Sequence, residues 1–558
     1  MLVCNLYHSL VKVFPDTEPT AEPLKKISAL RGEKLSFQLV YYSDTRKWEP
    51  LILDCEGKWK DALTCRRVGN VVVENLGLVV WHPEQPYERK KPGLYPDVLS
   101  PDMDLLHVSA GTWHAVWIDF QVPEDAEAGK SKLSFVIHNG LDTKSDAYFS
   151  FPKAEITVEI IDAQLPAQKL KHTEWFYCDC ICHAHLVAPW SEAHWELLDR
   201  YFADFAAHGI NMLLTPVFTP PLDTYVGGER LTTQLVDIRK TGSGYRFNFK
   251  KLKRWIQLAR KNGIQYFEIS HLFTQWGAEF CPKIVANVAG KEEKIFGWHT
   301  SATSAEYVEF LNAFLPRLTA FLRREKVADD CYFHISDEPN EACLENYSRA
   351  SAQLRPHLAG FKIIDAASHP EFFTGGHVKL PVPSTYDLDN FMKLDLPERW
   401  TYYCGGPELP FSNRMHTMPA AANRMMGFLL YWYNLDGFLH WGYNFWNTLV
   451  SRRIADPLSL EPDYGYTNGD ACLVYPGIDG PMSSTREEVF FDGLQDLRAL
   501  NLLESLCSRE KVLDLIRKEA GYDLRMDKFP LDMDTVIKLR ETVNLEIRKI
   551  VERQKKNQ

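Results

Sequence analysis

The sequence contains no long apolar run, no long basic run and no regular cysteine spacing. Without a stretch of about 18 apolar residues, we expect no transmembrane helix and no membrane partner. The net charge is −11 and only the short tail RQKKNQ is basic, so we expect no nucleic-acid partner. The N-terminal residues lack the basic, apolar and small-residue segments of a signal peptide. Twelve scattered cysteines then favour reduced thiols and a cytoplasmic location.

The composition is that of a soluble protein with a large core. Hydrophobic residues make up 45% and charged residues 25% of the chain, both ordinary for a globular protein. Aromatic residues reach 13%, and the rings of Trp and Tyr stack well on the apolar faces of sugars. A large core also needs large side chains, so the aromatic content alone does not decide between the two uses. At 558 residues the chain is long enough for several domains.

Residues 1–165 have the pattern of an all-β domain. Short β-branched segments often alternate apolar and polar residues, and Pro, Gly, Asp and Asn separate them: SFQLVYYS, NVVVENLGLVVW, HAVWIDFQV, SKLSFVIHN and AEITVEIID. This pattern predicts an antiparallel β-sandwich. No cluster of acids or histidines in this range suggests a site.

Residues 166–484 change to an alternation of strand and helix. About eight repeats follow one another, beginning with EWFYCDCI as the first strand, which predicts a (β/α)8 barrel of the TIM type. Residues 485–558 are helical and are predicted to form an extension packed on the barrel. The last helix, Asp534 to Arg553, offers either a solvated face or an interface for a homo-oligomer.

Two adjacent carboxylates follow the predicted strand CYFHIS. Asp337 and Glu338 stand in the stretch FHISDEPN, directly before a proline. Asp before Pro is common at a helix N-cap, so a structural role is one interpretation. Catalysis is the other, because the functional residues of such barrels lie at the carboxyl ends of the strands. Two close carboxylates push one pKa up, which leaves one acid protonated and the other ionised near neutrality.

The adjacency of the two acids favours one kind of glycoside hydrolysis. Ordinary glycosidases use two carboxylates about 5 Å or more apart, a geometry that neighbours in sequence fit less easily. In the substrate-assisted exception the 2-acetamido oxygen of the sugar is the nucleophile. Glu338 would then protonate the leaving oxygen, and Asp337 would orient the acetamide N–H. For a conventional mechanism, Glu268 is the candidate second carboxylate.

Polar and aromatic residues after other predicted strands are the candidate sugar-binding groups. Hydrogen-bonding side chains beside an aromatic surface suit the hydroxyls and ring faces of a sugar. Packing in a core or a loop is an equally good interpretation of each residue alone. The candidates are Asp223, Arg230, His271, Gln275, Trp276, Tyr403, Trp441, Tyr443, Asn444 and Trp446. Tyr403 or Tyr443 is the candidate hydrogen-bond donor to the acetamido oxygen.

The segment CDCICHAH raises the alternative of a metal-dependent hydrolase. His183 and His185 have the HxH pattern of metal-dependent amidohydrolases. However, the C-x-C-x-C spacing differs from the C-x2-C of structural zinc sites. An amidohydrolase also needs histidines after the fifth and sixth strands. His369 follows the fifth strand, but the segment WTYYCGG contains no histidine. We therefore predict small buried thiols and no metal.

These segments together resemble glycoside hydrolase family 123, the β-N-acetylgalactosaminidases. The resemblance covers nearly the whole chain and rests on FHISDEPN, TPVFTPPLDT, HLFTQWGA, FLHWGYNFW, YPDVLSP and LVYPG followed by STREEVFFDGLQDLRAL. It implies a β-sandwich, a barrel, a retaining substrate-assisted mechanism and no cofactor. Asp337 matches the family's acetamido-stabilising Asp, and Glu338 matches its acid/base Glu.

The expectation is an exo-acting enzyme that removes terminal β-linked N-acetylgalactosamine from a small glycan or glycoside. The alternatives are a β-N-acetylglucosaminidase, a β-galactosidase with a second carboxylate, and a carbohydrate-binding protein without turnover. No spacing rule shows which polar group faces the C4 hydroxyl of the sugar, so the galacto or gluco preference stays open.

Overall fold

The structure is a computed structural model and describes residues 2–46, 51–106, 108–139, 151–460 and 465–557. The N-terminal strands are β1 (Leu2–His8), β2 (Lys26–Arg31), β3 (Lys34–Ser43), β4 (Ile52–Gly57), β5 (Leu63–Val73), β6 (Gly93–Ser100), β7 (Thr112–Gln121), β8 (Gly129–His138) and β9 (Lys153–Gln164).

The later strands are β10 (Lys171–Glu174), β11 (Met212–Thr215), β12 (Asp237–Thr241), β13 (Gly244–Asn248), β14 (Tyr266–Ile269), β15 (Ile284–Val288), β16 (Lys291–Phe296), β17 (Cys331–Phe333), β18 (Lys362–Ala366), β19 (Leu380–Val382), β20 (Trp400–Tyr402), β21 (Gly437–His440), β22 (Ser459–Leu460), β23 (Tyr475–Pro476) and β24 (Pro481–Met482). The helices are α1 (Cys178–Ala184), α2 (Glu192–Ala207), α3 (Lys250–Lys261), α4 (Ala305–Arg324), α5 (Leu344–Leu354), α6 (Glu371–Thr374), α7 (Leu388–Phe391), α8 (Ala420–Arg424), α9 (Met426–Trp432), α10 (Thr485–Leu506), α11 (Arg509–Ala520) and α12 (Met533–Lys556).

The N-terminal strands form two sheets that share one apolar core. The first has the order β1-β3-β7-β5-β22, with β6 also paired to β5, and the second has the order β2-β9-β8-β4. Phe37 and Phe135, one from each sheet, are fully buried with their rings 5.8 Å apart. A sheet-rich N-terminal region is therefore confirmed. The pairing is mixed rather than purely antiparallel, because β2 runs parallel to β9 and β22 parallel to β5, and parallel neighbours need long connections that hairpin patterns do not reveal.

Eight parallel strands form a nearly closed barrel in the order in which they occur along the chain, from β10 to β21. β21 pairs with β10, and β19 meets β20 through a single bridge between Ser384 and Tyr402. The barrel strands are short and buried, as expected of a parallel sheet covered on both faces. The prediction of a barrel is confirmed in this form.

The first barrel strand is shorter than predicted. β10 ends at Glu174, and most of the predicted strand EWFYCDCI lies beyond it, with Cys178 already in helix α1. Short apolar runs fit a strand or a buried helix equally well, so periodicity could not separate the two. The alternating cysteines therefore lie on a helix and not on the two faces of a strand.

The C-terminal region is helical and packs on the barrel and on the N-terminal sheets. Helix α10 begins after Ser484, whose hydroxyl accepts the N–H of Glu487 at 3.1 Å. It approaches α9 closely, because a Cβ on Gly427 would lie 1.8 Å from the carbonyl oxygen of Gly493. Within the described ranges, none of the helices combines the length and apolar character needed to cross a bilayer.

Candidate active site

A pocket of about 250 Å³ opens at the carboxyl ends of the barrel strands. Its size suits one sugar ring, being smaller than the clefts that take drug-sized ligands. A groove of about 540 Å³ beside α12 is larger, but none of its described lining residues is aromatic. The pocket is lined by Trp175, Asp223, Gln275, Trp276, Asp337, Glu338, Ala366, Tyr402, Cys404, Gly405, Leu439, Trp441, Tyr466 and Asp470.

The structure brings Asp337 and Glu338 together in this pocket. Glu338 has a φ of 43°, a left-handed conformation that is strained for a residue with a side chain. Trp276, with a φ of 62°, donates its N–H to the carbonyl oxygen of Asp337 at 2.8 Å. Asp337 caps no helix, because the next helical turn has Asn340 at its N-cap position. The N-cap interpretation of the pair is therefore wrong.

The two acids differ in their surroundings. Asp337 is half-buried, whereas Glu338 is exposed at the mouth. Burial, followed by the charge of Glu338, raises the pKa of Asp337 well above its ordinary value. The hydroxyl of Tyr402 donates to Oε1 of Glu338 at 2.7 Å and fixes this side chain at the mouth.

Asp223 is a third carboxylate of the pocket, held by loops that follow three different strands. Its N–H donates to Oε1 of Gln275 at 2.6 Å, and its carbonyl oxygen accepts the hydroxyl of Ser451 at 2.7 Å. Its Oδ1 accepts the hydroxyl of Tyr466 at 3.3 Å. Burial raises the pKa of Asp223 to about 7, although Arg230 opposes the shift.

Asp470 is a fourth carboxylate. Its Oδ1 accepts the indole N–H of Trp441 at 3.0 Å, and Nε2 of His440 lies 3.3 Å from the same oxygen. Burial raises the pKa of Asp470 to about 7 against the opposing charge of Arg414. None of the described lining residues is Lys or Arg, so the pocket presents acceptors without a cation of its own.

Aromatic side chains supply the floor, one wall and the rim. Trp175 forms the floor and donates its indole N–H downward to Glu268 at 2.8 Å. Trp441 and Tyr466 form a wall with ring centroids 5.0 Å apart. Trp276 stands at the rim with 46% of its surface exposed. Such flat surfaces suit the ring faces of sugars.

A buried ionic network lies beneath the floor. The imidazole of His334 lies between Glu268 and Asp365, with Nδ1 3.0 Å from Oδ1 of Asp365, and the hydroxyl of Tyr347 also donates to Asp365. Burial alone would lower the pKa of His334, but the two carboxylates outweigh it and raise the pKa to about 10. Glu268 is thus paired inside the barrel, a position that excludes the direct contact with a sugar expected of a second catalytic carboxylate.

The predicted Tyr403 does not reach the pocket, and its neighbour Tyr402 does. Tyr403 is fully buried, with its ring 5.1 Å from that of Phe438, and its hydroxyl has no partner among the described residues. Successive residues of a strand point to opposite sides, so an error of one position moves a side chain from the pocket to the core.

Within the segment HWGYNFW, Trp441 lines the pocket. The three other predicted residues of this segment point away from it. The hydroxyl of Tyr443 donates to Asp204 at 2.6 Å. The amide of Asn444 exchanges hydrogen bonds with a loop backbone, and the indole of Trp446 donates to a backbone carbonyl at 3.1 Å. Each of these polar tips is satisfied within the core, which is how buried Tyr and Trp are usually accommodated.

Arg230 and His271 are likewise outside the lining. Arg230 forms a two-pronged ion pair with Asp179, at 2.8 and 2.6 Å. His271 stacks on His334 with ring centroids 4.2 Å apart, and burial lowers its pKa well below the ordinary value. Both residues lie behind the pocket wall and do not form part of the pocket surface.

The segment CDCICHAH packs as a helix without a recognisable metal-ligand group. Cys178, Cys180 and Cys182 are buried, and the thiol of Cys180 accepts the N–H of Trp446 at 3.3 Å. His185 pairs with a tyrosine hydroxyl at 2.9 Å. No trio of metal-type ligands in the described part of the chain includes a residue of this segment.

Eight lining residues were not predicted from the sequence, and the aromatic and acidic ones among them are Trp175, Tyr402, Tyr466 and Asp470. Trp175 lies one residue past β10, within the predicted strand EWFYCDCI and not after it. The signal for Asp470 was its position in the segment YGYTNGDACLVYPG, which follows the eighth strand and so belongs to the functional face.

The comparisons with known proteins show the family and the fold. A family model described as the glycoside hydrolase 123 catalytic domain matches residues 175–503, which include every residue of the pocket lining. The chain belongs to glycoside hydrolase family 123. No curated protein matches the chain.

A solved family 123 glycoside hydrolase from Clostridium perfringens, studied for glycolipid glycan hydrolysis, has the same fold. It aligns with a TM-score of 0.73 over 99% of this chain and 98% of its own, at 13% identity. EndoBT-3987 of Bacteroides thetaiotamicron aligns with 82% of this chain and 96% of its own at 8% identity. The TM-score of that match is 0.20, which is too low to support an argument.

Proposed function

We propose that this family 123 enzyme is an exo-acting retaining glycoside hydrolase that removes terminal β-linked N-acetylgalactosamine by substrate-assisted catalysis. The observation that carries the proposal is that Asp337 and Glu338, adjacent in sequence, line one pocket of the size of a sugar ring. The aromatic floor and wall suit the ring face. The four acids disfavour an anionic sugar, because the described lining residues include no Lys or Arg.

In the proposed first step the acetamido oxygen attacks the anomeric carbon while the bond from that carbon to the leaving oxygen breaks. Glu338 at the mouth donates its proton to the leaving oxygen. Asp337, which is deeper and less solvated, accepts the acetamide N–H and stabilises the positive charge of the oxazolinium ring. The hydroxyl of Tyr402 keeps the Glu338 carboxyl turned toward the bond that breaks.

In the second step Glu338 removes a proton from water as the water oxygen attacks the anomeric carbon. The bond between that carbon and the acetamido oxygen breaks, which restores the acetamide and leaves the configuration retained. These steps use no cofactor. We further expect a small glycan or glycoside as the substrate and a cytoplasmic setting; the glycan of a glycolipid is also worth testing, given the work on the Clostridium perfringens enzyme.

Asp223 favours one alternative mechanism. It lines the same pocket as Glu338, so a conventional glycosidase would use these two carboxylates instead of the acetamide. The substrate would then be a plain β-glycoside such as a β-galactoside. The presence or absence of the 2-acetamido group separates the two mechanisms.

The test is hydrolysis of three aryl β-glycosides: the 2-acetamido galactoside, the 2-acetamido glucoside and the 2-hydroxy galactoside. We expect turnover of the acetamido sugars with the galactoside preferred. Equal or faster turnover of the 2-hydroxy galactoside would overturn the substrate-assisted mechanism in favour of Asp223. A preference for the glucoside would overturn only the assignment of the sugar.

A further inference from the structure

A second group of polar side chains lies outside the pocket, where α2 meets the start of α10. Asp204 and His208 are one turn apart at the end of α2, and Glu487 is in the first turn of α10. Nδ1 of His208 lies 3.5 Å from Oδ1 of Asp204 and 3.6 Å from Oε1 of Glu487. Ligands of one tetrahedral zinc ion, each about 2.0–2.2 Å from the metal, lie roughly 3.3–3.6 Å apart. The two distances from Nδ1 of His208 are thus close to those between ligands of one ion, and all three ligand atoms lie within 4.8 Å of one another.

The carboxylate of Glu487 is weakly partnered, with the side chain of Ser483 as a nearby donor. The residue is only 2% exposed, and no described donor meets either oxygen with acceptable geometry. Glu at this position of an N-terminal Ser-x-x-Glu sequence usually bonds back to the N–H of the cap residue. Here Ser484 caps the helix, but the return bond is missing and the carboxylate faces His208. A buried acid without a well-placed donor is costly unless another group binds it.

The other sides of the ligands are held in place. Nε2 of His208 lies 3.0 Å from Oε1 of Glu488, and Oδ2 of Asp204 accepts the hydroxyl of Tyr443 at 2.6 Å. A carboxylate on the far nitrogen is the usual support of a metal-binding histidine. Without a metal, Nδ1 of His208 donates to the carbonyl oxygen of Asp204 at 2.9 Å. Metal binding would displace that proton.

The charges around the cluster leave room for two positive charges. The cluster contains the carboxylates of Asp204, Glu487 and Glu488. Asp119 counts as a fourth carboxylate, because its partner Arg66 also pairs with Glu488. Lys34 pairs with Glu488 at 2.5 Å. With a neutral histidine, these four carboxylates face only two permanent cations. A divalent ion would neutralise the cluster, and two bound protons are the competing way to do so.

We propose that Asp204, His208 and Glu487 bind one divalent transition-metal ion, best represented by Zn²⁺. One imidazole and two carboxylates suit zinc and its neighbours rather than calcium, which takes oxygen ligands. The ion reaches the site along Asp204, whose side chain is 17% exposed. It joins the outer helix α2 of the barrel to α10 and is structural, since none of its ligands lines the pocket.

The experiment titrates Zn²⁺ into the full-length protein after treatment with a chelator, using calorimetry and thermal unfolding. We expect one ion per chain and a higher melting temperature with Zn²⁺. Glu487→Gln and His208→Gln should abolish both effects. Tyr443→Phe, which loses only the bond to Asp204, should weaken binding by about 10- to 100-fold. Glu196→Gln, on the exposed face of α2, is the matched control and should bind as the natural chain does.

Co²⁺ gives a second measurement that does not depend on stability. Bound Co²⁺ should absorb in the visible range, and the absorption should disappear in His208→Gln while circular dichroism shows that the variant is folded. Absence of Zn²⁺ binding would overturn the proposal and leave protons as the neutralising groups. Binding that persists unchanged in Glu487→Gln would also overturn it, because the ion would then lie elsewhere. Neither result affects the proposed glycosidase, whose pocket is separate.

Discussion

Two layers of acidic residues lie one above the other in the barrel, and they differ in how many donors they have. In the lower layer, Glu268 accepts from Thr173, Trp175 and His334, and Asp365 accepts from His334 and Tyr347 as well as a backbone N–H. In the upper layer, no described side chain donates to Asp337, and Glu338 has the single bond from Tyr402.

This difference shows how one residue type serves the fold in one layer and the chemistry in the next. A carboxylate with all its acceptor positions filled holds a neighbouring cation and fixes three strands. A carboxylate with open positions costs stability and is available to a substrate. Burial raises the pKa of Asp365 in the lower layer as it raises those of Asp337, Asp223 and Asp470 in the upper layer. The layers differ instead in their partners, since the lower acids together raise the pKa of His334 to about 10.

The largest expected effect is on catalysis in the upper layer. Glu338→Gln removes the proton donor, and we expect the turnover of an unactivated glycoside to fall by about 10²- to 10⁴-fold with unchanged stability. Asp337→Asn should be equally slow. The two variants should differ with an activated aryl leaving group, which needs no proton: Glu338→Gln should recover in the first step and Asp337→Asn should not. Glu341→Gln, exposed in the same loop, is the control.

The next effect is on stability and concerns the lower layer. His334→Leu leaves Glu268 and Asp365 buried without their cation, which should cost about 3–5 kcal/mol in the free energy of unfolding measured with denaturant. His271→Leu is a matched comparison, because His271 is equally buried but its ring nitrogens have no hydrogen-bond partner among the described residues. That variant should cost about 1.5 kcal/mol or less. Equal losses in the two variants would show that packing, and not charge, holds this layer together.

A smaller effect should appear in the pH dependence of stability. The pKa of Asp470 rises from 3.8 to about 7 on folding, so its bound proton stabilises the fold at low pH and this contribution is lost as the pH rises through 7. Asp470→Asn cannot ionise, so its stability should not fall with rising pH in this way. At pH above 7 its free energy of unfolding should exceed that of the natural chain by at most about 4 kcal/mol. Unfolding at a pH below 4 and at a pH above 7 tests this. Exposed Asp479→Asn should show the natural dependence.

The smallest effect separates two neighbouring tyrosines. Tyr402→Phe loses the bond to Glu338, and we expect kcat to fall about tenfold, equivalent to about 1.4 kcal/mol, with KM nearly unchanged. Tyr403→Phe should leave both constants as they are, because that hydroxyl has no described partner and lies outside the pocket. Loss of activity in Tyr403→Phe rather than in Tyr402→Phe would contradict the orientation of β20.

The sequence supports the barrel and the position of the acid pair better than it supports the rest of the pocket. Alternation of strand and helix is a property of long segments, and the end of a strand locates Asp337 and Glu338 without knowledge of neighbours. The choice between Tyr402 and Tyr403 depends on the register of a three-residue strand, which no local pattern fixes. The position of Asp470 in the pocket depends on the path of a loop. The role of Glu268 depends on its contact with His334, which is distant in sequence. Such contacts exist only after folding.

The pairing of β22 with β5 has a consequence for how this chain can change over time. β22 lies after the eighth barrel strand yet completes a sheet of the N-terminal region, and Asn75 there donates to the carbonyl oxygen of Tyr466 in the pocket wall at 2.7 Å. A gene fragment that begins near residue 166 would encode a barrel with an unpaired strand edge and a wall without its backing. We therefore expect the N-terminal sheets to be retained with the barrel as one unit, rather than exchanged as appended sugar-binding modules are.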